Sequence, residues 1–315
     1  MFVPELNRGT YKEDLQPGDM LSFFHRKVYD PGIWKNRVLT IYGDGDFHHY
    51  TYALSQMAAR ERGLGGSGDP RWTYFHFDQH RDDWGDRDEQ GYTPVLNCAN
   101  FVDTIAQRQG AVPFFVGPDV LPKKDSRGYR GPNGRIPIYH NWFTKARQRS
   151  GGWGRFHAWL EGYMGDELPA VADLQETPTP AYLSFDLDYL CSQEMVTNFD
   201  QNENVKLRRV CQILDRIRPH KRLFGADILG LPDDCNHPLS ALTMVILARK
   251  IMGLGVVRLL YEHTRAKKIQ AAMVAREAQG RLYGSDGKRL IDFSNWMDRK
   301  RPSPISEEEL FEIVR

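Results

Sequence analysis

The chain has 315 residues, of which 41% are hydrophobic, and its 42 Lys and Arg nearly balance its 41 Asp and Glu. A formal net charge of +1 argues against broad electrostatic attraction to nucleic acid or to an anionic membrane, and no stretch reaches the ~20 apolar residues that cross a bilayer. The four cysteines are far apart, which argues against a disulfide scaffold and a zinc ribbon. We expect a soluble, cytoplasmic protein without nucleic-acid or membrane partners, and a homo-oligomer stays an open alternative.

Short apolar runs alternate along the chain with segments of helical periodicity. The predicted strands cover residues 38–42, 72–77, 112–116, 181–185 and 223–228, and the predicted helices cover 50–62, 99–108, 205–217 and 239–252. Continuous apolar runs of this length are typical of strands that are buried on both sides. The alternation predicts an α/β fold of three layers, α/β/α, with a mainly parallel central sheet.

Two irregular stretches interrupt this alternation. Residues 117–135 are rich in glycine, proline and basic residues and exceed the usual length of a connection, so we predict a surface loop or lid there. Residues 165–180 contain several prolines and acids and resemble a linker. Because related motifs lie on both sides of this second stretch, we predict a single domain over residues 1–315.

Three ionisable residues alternate directly after the second predicted strand. Asp78, His80 and Asp82 occupy every second position, which places their side chains on one side of an extended chain. Carboxylates and imidazoles are common ligands of divalent cations, and α/β proteins build their sites at the carboxyl ends of strands. A hydrated turn does not need this strict alternation, so the motif predicts a metal site.

Two further segments offer potential ligands. Asp186 and Asp188 follow the fourth predicted strand, and His48 and His49 follow the first. Taken alone, such acids often cap a helix or form a turn, and such a histidine is often structural. Acids gathered at the ends of buried strands, however, would repel and desolvate one another unless a cation offset their charge. We therefore predict a divalent metal, and either His48 or His49 as an added ligand.

With these motifs the chain resembles the arginase and deacetylase superfamily, and within it the ureohydrolases. The segments GDGDFHH, DQHRD and SFDLD match, in order, the family's glycine-rich strand end with a His, its D-x-H-x-D and its S-x-D-x-D. The resemblance implies an arginase-like fold and two Mn²⁺ ions, of which Asp78 and Asp186 hold both. The remaining ligands would be His48 and Asp82 for one ion, and His80 and Asp188 for the other.

The segments HFDQHRDDW and FDLDYL are most similar to those of an atypical branch of this family. That branch includes the peptide arginases, which convert arginine to ornithine within peptides. Two positions depart from the arginase pattern. Gly230 stands where the family has its guanidinium-binding Glu, and residues 96–100 (LNCAN) lack its proton-shuttling His. The loops that hold the ends of free arginine also have no match here, which fits a substrate whose ends are in peptide bonds.

Other residues must therefore meet the substrate. The candidates for substrate binding are Asp233, Asp234, Asn97 and Asn100. Asp227, in the fifth predicted strand, could neutralise a guanidinium, and a structural cap is an equal alternative. The candidates for proton transfer, which the sequence does not rank, are His76, His140, His220 and His237.

The resulting hypothesis is a binuclear-metal hydrolase of a guanidino group, in which a water shared by two cations becomes nucleophilic near neutral pH. The predicted catalytic residues are Asp78, His80, Asp186 and Asp227. The substrate would be an arginine-containing peptide or a small guanidino compound, and the products of arginine would be ornithine and urea. One alternative is a deacetylase-like amidohydrolase with a single Zn²⁺. Another is a binding module that keeps the fold without turnover.

Overall fold

The computed structural model describes residues 16–42, 45–64, 72–83, 94–117, 129–131, 134–136, 139–140, 168–192, 195, 197, 201, 205–230, 238–252 and 256–259. The strands are β1 (Val38–Ile41), β2 (Trp72–Phe77), β3 (Ala111–Val116), β4 (Tyr129–Gly131), β5 (Gly134–Ile136), β6 (Tyr139–His140), β7 (Pro180–Asp186), β8 (Arg222–Leu229) and β9 (Val256–Leu259). The α-helices are α1 (Pro17–Lys27), α2 (Pro31–Trp34), α3 (Tyr50–Arg60), α4 (Phe101–Gln109), α5 (Val171–Glu176), α6 (Leu207–Ile217) and α7 (Pro238–Met252).

Seven strands form one sheet in the order β6-β3-β2-β7-β8-β1-β9. Every neighbouring pair in this sheet is parallel, which confirms the predicted α/β class and its mainly parallel sheet. The five predicted strands form the consecutive centre of the sheet, from β3 to β1. The outer strands β6 and β9, of two and four residues, were not among the predicted strands.

Helices cover both faces of the sheet, and each face has its own hydrophobic core. One core joins α1, α3 and α4 to the sheet, and the other joins α5, α6 and α7 to it. Successive strand residues contribute to opposite cores, as Tyr74 and Phe75 do on β2 and Tyr182 and Leu183 do on β7. Side chains alternate between the faces of a strand, and both faces are covered, so the predicted three layers are confirmed.

Regular structure lies within residues 117–135, which were predicted as a loop or lid. Strands β4 and β5 pair in antiparallel fashion, with Tyr129 opposite Ile136, so residues 129–131 and 134–135 of this segment form two short strands. Residues 118–128 and 132–133 lie outside the described residues, and the role of a lid stays a prediction. A single domain over residues 1–315 also stays a prediction. None of the helices in the described part of the chain has the length and apolar character needed to span a bilayer.

The register of the central strands brings polar side chains into one row. His76 on β2 pairs with Ser184 on β7, and Ser184 pairs with Asp227 on β8. These residues lie on the face that α3 covers. Two residues further along β2 and β7 come Asp78 and Asp186, which share this face because of the alternation. The polar row therefore leads directly to two acids at the carboxyl end of the sheet.

Candidate metal centre

Three chain segments bring their side chains together at the carboxyl end of the sheet. Asp78, His80 and Asp82 follow β2, and Asp186 ends β7. His48 lies in the turn between a short 3₁₀ helix, Gly45–Phe47, and the start of α3. Since β8 separates β1 from β7 in the sheet, this turn carries His48 over β8 to reach the acids.

The imidazole of His48 faces three carboxylates. Its Nδ1 lies 2.9 Å from Asp78 Oδ2, 3.0 Å from Asp82 Oδ2 and 3.5 Å from Asp186 Oδ2. The side chain of His48 is 1% exposed. A buried nitrogen that is close to three carboxylate oxygens fits a shared cation, because one proton cannot satisfy three acceptors.

A second group of ligand atoms lies beside the first. His80 Nδ1 is 2.9 Å from Asp188 Oδ2 and 3.4 Å from Asp78 Oδ1. Asp78 thus presents Oδ2 to His48 and Oδ1 to His80, which is the arrangement expected of a carboxylate that bridges two cations. The side chain of His80 is 42% exposed, so this side of the centre opens to solvent.

Backbone N–H groups orient the acids. The amide of His80 donates to Asp78 Oδ1 at 2.5 Å, and the amide of Gln79 donates to Asp188 Oδ1 at 3.2 Å. The amide of Asp188 donates to Asp186 Oδ1 at 3.1 Å. Asp82 has a φ of +49°, a left-handed conformation that is uncommon for a residue other than glycine. Such strain is typical of functional sites, and here it turns the carboxylate of Asp82 toward His48.

Among the described residues, two sets of three or more potential ligands converge, and they share one acid. They are His48, His76 and Asp78, and Asp78, His80 and Asp188. Asp82 and Asp186 add oxygens on the side of His48. The chain therefore offers two adjoining sites that could each hold a divalent cation.

His76 belongs to the first set, although the sequence indicated only a candidate for proton transfer. Its Nε2 is 3.1 Å from the carbonyl oxygen of His80, and its Nδ1 is 3.3 Å from the hydroxyl of Tyr74. Burial lowers the pKa of His76 to about 3, so the ring is neutral at physiological pH. With both nitrogens engaged inside the protein, His76 supports the backbone of the D-x-H-x-D segment.

The sequence left open whether His48 or His49 is the ligand, and the structure brings His48 to the acids. His49 is fully buried, precedes α3 and packs its ring edge-on against Tyr50, with 5.1 Å between centroids. Neither converging set of the described residues includes His49. The spacing of the two histidines could not separate them, because the 3₁₀ turn before α3 decides which ring faces the acids.

Asp227 lies inside the sheet and is fully buried. Ser184 donates to its Oδ1 at 2.5 Å, and the hydroxyl of Tyr182 donates to its Oδ2 at 2.9 Å. It is therefore not a helix cap, which was one of the two alternatives. Burial raises the pKa of Asp227 to about 6, although the hydrogen bonds from Ser184 and Tyr182 and the charge of His48 oppose this rise.

The predicted substrate-binding residues divide into two groups. Asn97 and Asn100 form the turn before α4, because the amide of Asn97 donates to Asn100 Oδ1 at 2.9 Å and Asn100 Nδ2 donates to the Val95 carbonyl at 3.1 Å. Their contact with a substrate stays a prediction. Asp233 and Asp234 lie outside the described residues.

The other candidates for proton transfer are not placed at the centre by the structure. His220 precedes β8 and so lies at the amino end of the sheet, about 26 Å away from the carboxyl end for a strand of eight residues. The described strand β6 includes His140, whose side chain lies outside the description, as does the whole of His237. The prediction for His220 was therefore wrong, because it lies at the wrong end of its strand.

Gly230 approaches the centre so closely that no side chain fits there. Its φ is +96°, and a Cβ would lie 2.4 Å from Asp186 Oδ1 and 3.0 Å from the backbone nitrogen of Leu187. Real Cβ atoms essentially never come within 3.0 Å of another heavy atom. A Glu at position 230 would therefore displace Asp186.

The crowding of buried carboxylates favours their protonated forms. Burial and the charge of Asp78 raise the pKa of Asp82 to about 8 and that of Asp188 to about 7. Burial and the charges of Asp188 and Asp78 raise the pKa of Asp186 well above its usual range. Hydrogen bonds to Asp188 and Asp78 raise the pKa of His80 to about 12. A cation held by these side chains would displace the protons, because the ligands must be deprotonated to bind it.

Comparison with known proteins gives similarity in fold only. No protein-family model matches the chain, and no curated protein matches it. Similar solved structures include a hypothetical agmatinase from Burkholderia thailandensis (17% identity, TM-score 0.44), arginase from Entamoeba histolytica in complex with L-ornithine (14%, 0.44) and arginase from Bacillus subtilis (12%, 0.43). In the same order, the matches cover 84%, 75% and 75% of this chain. They cover 64%, 74% and 75% of the chains of those structures. This chain therefore spans less than two thirds of the length of the agmatinase. At TM-scores below 0.5 the likeness adds nothing to the assignment of the centre, which depends on the distances above.

We expect the affinity for Mn²⁺ to rise with pH. An imidazole must be neutral to bind a cation, whereas in the metal-free protein the pKa of His80 is raised to about 12. Raising the pH from about 6 to about 8 therefore lowers the proton concentration that competes with Mn²⁺. Calorimetric titration in two buffers with different protonation enthalpies measures the protons released. An affinity that is independent of pH, without proton release, would contradict the assignment.

Replacing Gly230 by Ala should weaken Mn²⁺ binding by about 10-fold or more, because the added Cβ displaces Asp186. The positive φ should also cost about 1–3 kcal/mol in the free energy of unfolding. Gly63→Ala is the matched control, because Gly63 has a φ of +65° and nothing within 4 Å of its added Cβ. Both variants should lose stability in denaturant unfolding, and only Gly230→Ala should lose affinity in the titration.

Proposed function

We propose that the chain is a binuclear-metal hydrolase that cleaves a guanidino group, and that its substrate is arginine within a peptide. The observation that carries this proposal is that the two oxygens of Asp78 face different imidazoles. Oδ2 lies 2.9 Å from His48 Nδ1, and Oδ1 lies 3.4 Å from His80 Nδ1. A carboxylate in this position is suited to bridge two cations. Two divalent cations held there would lower the pKa of a shared water so that it is nucleophilic near neutral pH.

The composition of the centre favours Mn²⁺ over a single Zn²⁺. Carboxylates contribute most of the ligand atoms around His48 and His80, and oxygen-rich sites suit cations such as Mn²⁺. A catalytic zinc usually takes three protein ligands in a tetrahedral arrangement, and this centre offers more acids than one such ion requires. This favours the guanidino hydrolase over the zinc-dependent amidohydrolase.

The chain's own residues would hold and orient the reacting groups. Asp78 and Asp186 come from neighbouring strands β2 and β7, so the sheet fixes the spacing of the two acids. Partly exposed His80 marks the side from which a substrate can arrive.

An acid beyond β8 is proposed to pair with the guanidinium. Gly230 has no room for a side chain, and both oxygens of Asp227 accept hydrogen bonds from hydroxyl groups. Asp233 and Asp234 follow Gly230 by a few residues, so they are the nearest acids in this segment. We expect a peptide substrate because the sequence has no match to the loops by which arginases hold the ends of free arginine.

The substrate can be tested directly. Protein loaded with Mn²⁺ is incubated with free arginine, with an arginine-containing peptide and with an acetyl-lysine peptide, and urea release and peptide mass are measured. We expect urea and an ornithine-containing product from the arginine peptide. Deacetylation with one Zn²⁺ per chain would support the amidohydrolase instead, and metal binding without any product would support the non-catalytic module.

Asp78→Ala and Asp186→Asn should each reduce bound metal and urea release by more than about 100-fold, since residues that merely support a ligand already cost up to that much. Metal analysis by mass spectrometry and the urea assay measure the two losses. Asp83→Asn is the matched control, because the carboxylate of Asp83 accepts a hydrogen bond from Arg81 Nε at 3.0 Å and is not part of the centre. Full activity of either ligand variant would refute the bridging role of that acid.

A further inference from the structure

We infer that Ser184 and Asp227 position His48 for cation binding, through a chain of hydrogen bonds behind the ring. This inference rests on the metal centre proposed above and assigns to Asp227 the task of a positioning residue, without contact to the substrate. Three features of the described residues support it. The two ring nitrogens of His48 face different groups, the hydroxyl proton of Ser184 has one acceptor in Asp227, and the carboxylate of Asp227 is buried.

The two nitrogens of His48 face different surroundings. Nδ1 points at the carboxylates of the metal centre, whereas Nε2 lies 2.9 Å from the hydroxyl oxygen of Ser184. A histidine that binds a cation through one nitrogen carries its proton on the other, and the partner of that proton sets the tautomer and the orientation of the ring. Ser184 is therefore placed to choose the tautomer of His48.

Asp227 fixes the direction of this hydrogen bond. Ser184 Oγ is 2.5 Å from Asp227 Oδ1, and an ionised carboxylate can only accept. The single hydroxyl proton of Ser184 is thus committed to Asp227, and Ser184 must accept the proton of His48 Nε2. The Nδ1 lone pair then faces the acids, which is the tautomer needed for a cation at that point.

Asp227 is itself held in one orientation. It is fully buried, and Tyr182 donates to its second oxygen at 2.9 Å. Gly225 allows this contact, because a Cβ there would lie 2.8 Å from Cε2 of Tyr182. A charged carboxylate in the interior is costly unless its charge is compensated, and the chain through Ser184 and His48 connects it to the cation site.

A structural explanation competes with this one, since Ser184 and Asp227 also join β7 to β8. These strands, however, are already paired over residues 180–186 and 222–229 by the backbone. A role limited to joining strands would affect the stability of the metal-free protein and leave cation affinity unchanged. The two explanations therefore differ in what a cation titration measures.

The test is the affinity for Mn²⁺ of four single variants and one double variant. Ser184→Ala and Asp227→Asn should each weaken the His48 site by about 10–100-fold, and the double variant should lose no more than the stronger single variant, because both act through one ring. Tyr182→Phe should have a smaller effect, below about 10-fold. The matched control is Ser55→Ala, which removes a buried hydroxyl that bonds to Gln109 on another helix and should leave affinity unchanged.

A second readout reports the ring itself. In protein loaded with diamagnetic Zn²⁺, nitrogen–proton correlation spectra should show the His48 proton on Nε2, and this signal should shift or broaden in Ser184→Ala. Affinities equal to those of the unsubstituted protein in both Ser184→Ala and Asp227→Asn, or losses that add in the double variant, would overturn the inference. If Asp227→Asn does not fold, an unchanged Mn²⁺ affinity in Ser184→Ala overturns the inference.

These results separate the positioning role from the proposed reaction. Tight Mn²⁺ binding with the expected losses, but without urea release, would refute guanidino hydrolysis and support the role of Ser184 and Asp227. Urea release with unchanged affinity in the variants would do the reverse.

Discussion

Repulsion among buried carboxylates is the constraint on which the rest of this structure depends. Asp78, Asp186 and Asp188 come from the ends of two neighbouring strands and are almost inaccessible to solvent. In a medium of low polarity each negative charge disfavours the others, so the arrangement persists only with protons or cations between them. Imidazoles lie on either side of Asp78, and the nitrogen of each ring that faces Asp78 can bind either a proton or a metal ion.

The parallel sheet arranges the polar side chains next to these acids in successive rows. Along the face under α3, side chains change from the phenols of Tyr74 and Tyr182 to the row containing Ser184 and then to the acids. Within these rows Ser184 and Tyr182 donate hydrogen bonds to the buried Asp227, and the other acids gather at the carboxyl end. The opposite face of the same strands is mainly apolar, with Phe75 and Leu183 in its core, and its buried Thr73 donates a hydrogen bond to the Pro178 carbonyl.

Much of this arrangement follows from the sequence, and the exceptions have physical reasons. Long apolar runs predicted the five central strands, and alternating acids predicted the cluster at Asp78 and Asp186. The pattern could not reveal that Ser184 and Asp227 are partners, because their contact depends on the register between β7 and β8. Nor could it choose between His48 and His49, which differ by one residue in a turn. Such features arise from tertiary pairing, which local patterns do not record.

The separation of the ligands along the chain has a consequence for biosynthesis. His48 and Ser184 meet across 136 residues, and β2, β7 and β8 must be paired before the acids converge. A nascent polypeptide that has left the ribosome only as far as β2 offers Asp78 and His80 without Asp186 or Asp188. A cation held at this centre would therefore be acquired after the sheet has assembled, and not by the emerging chain.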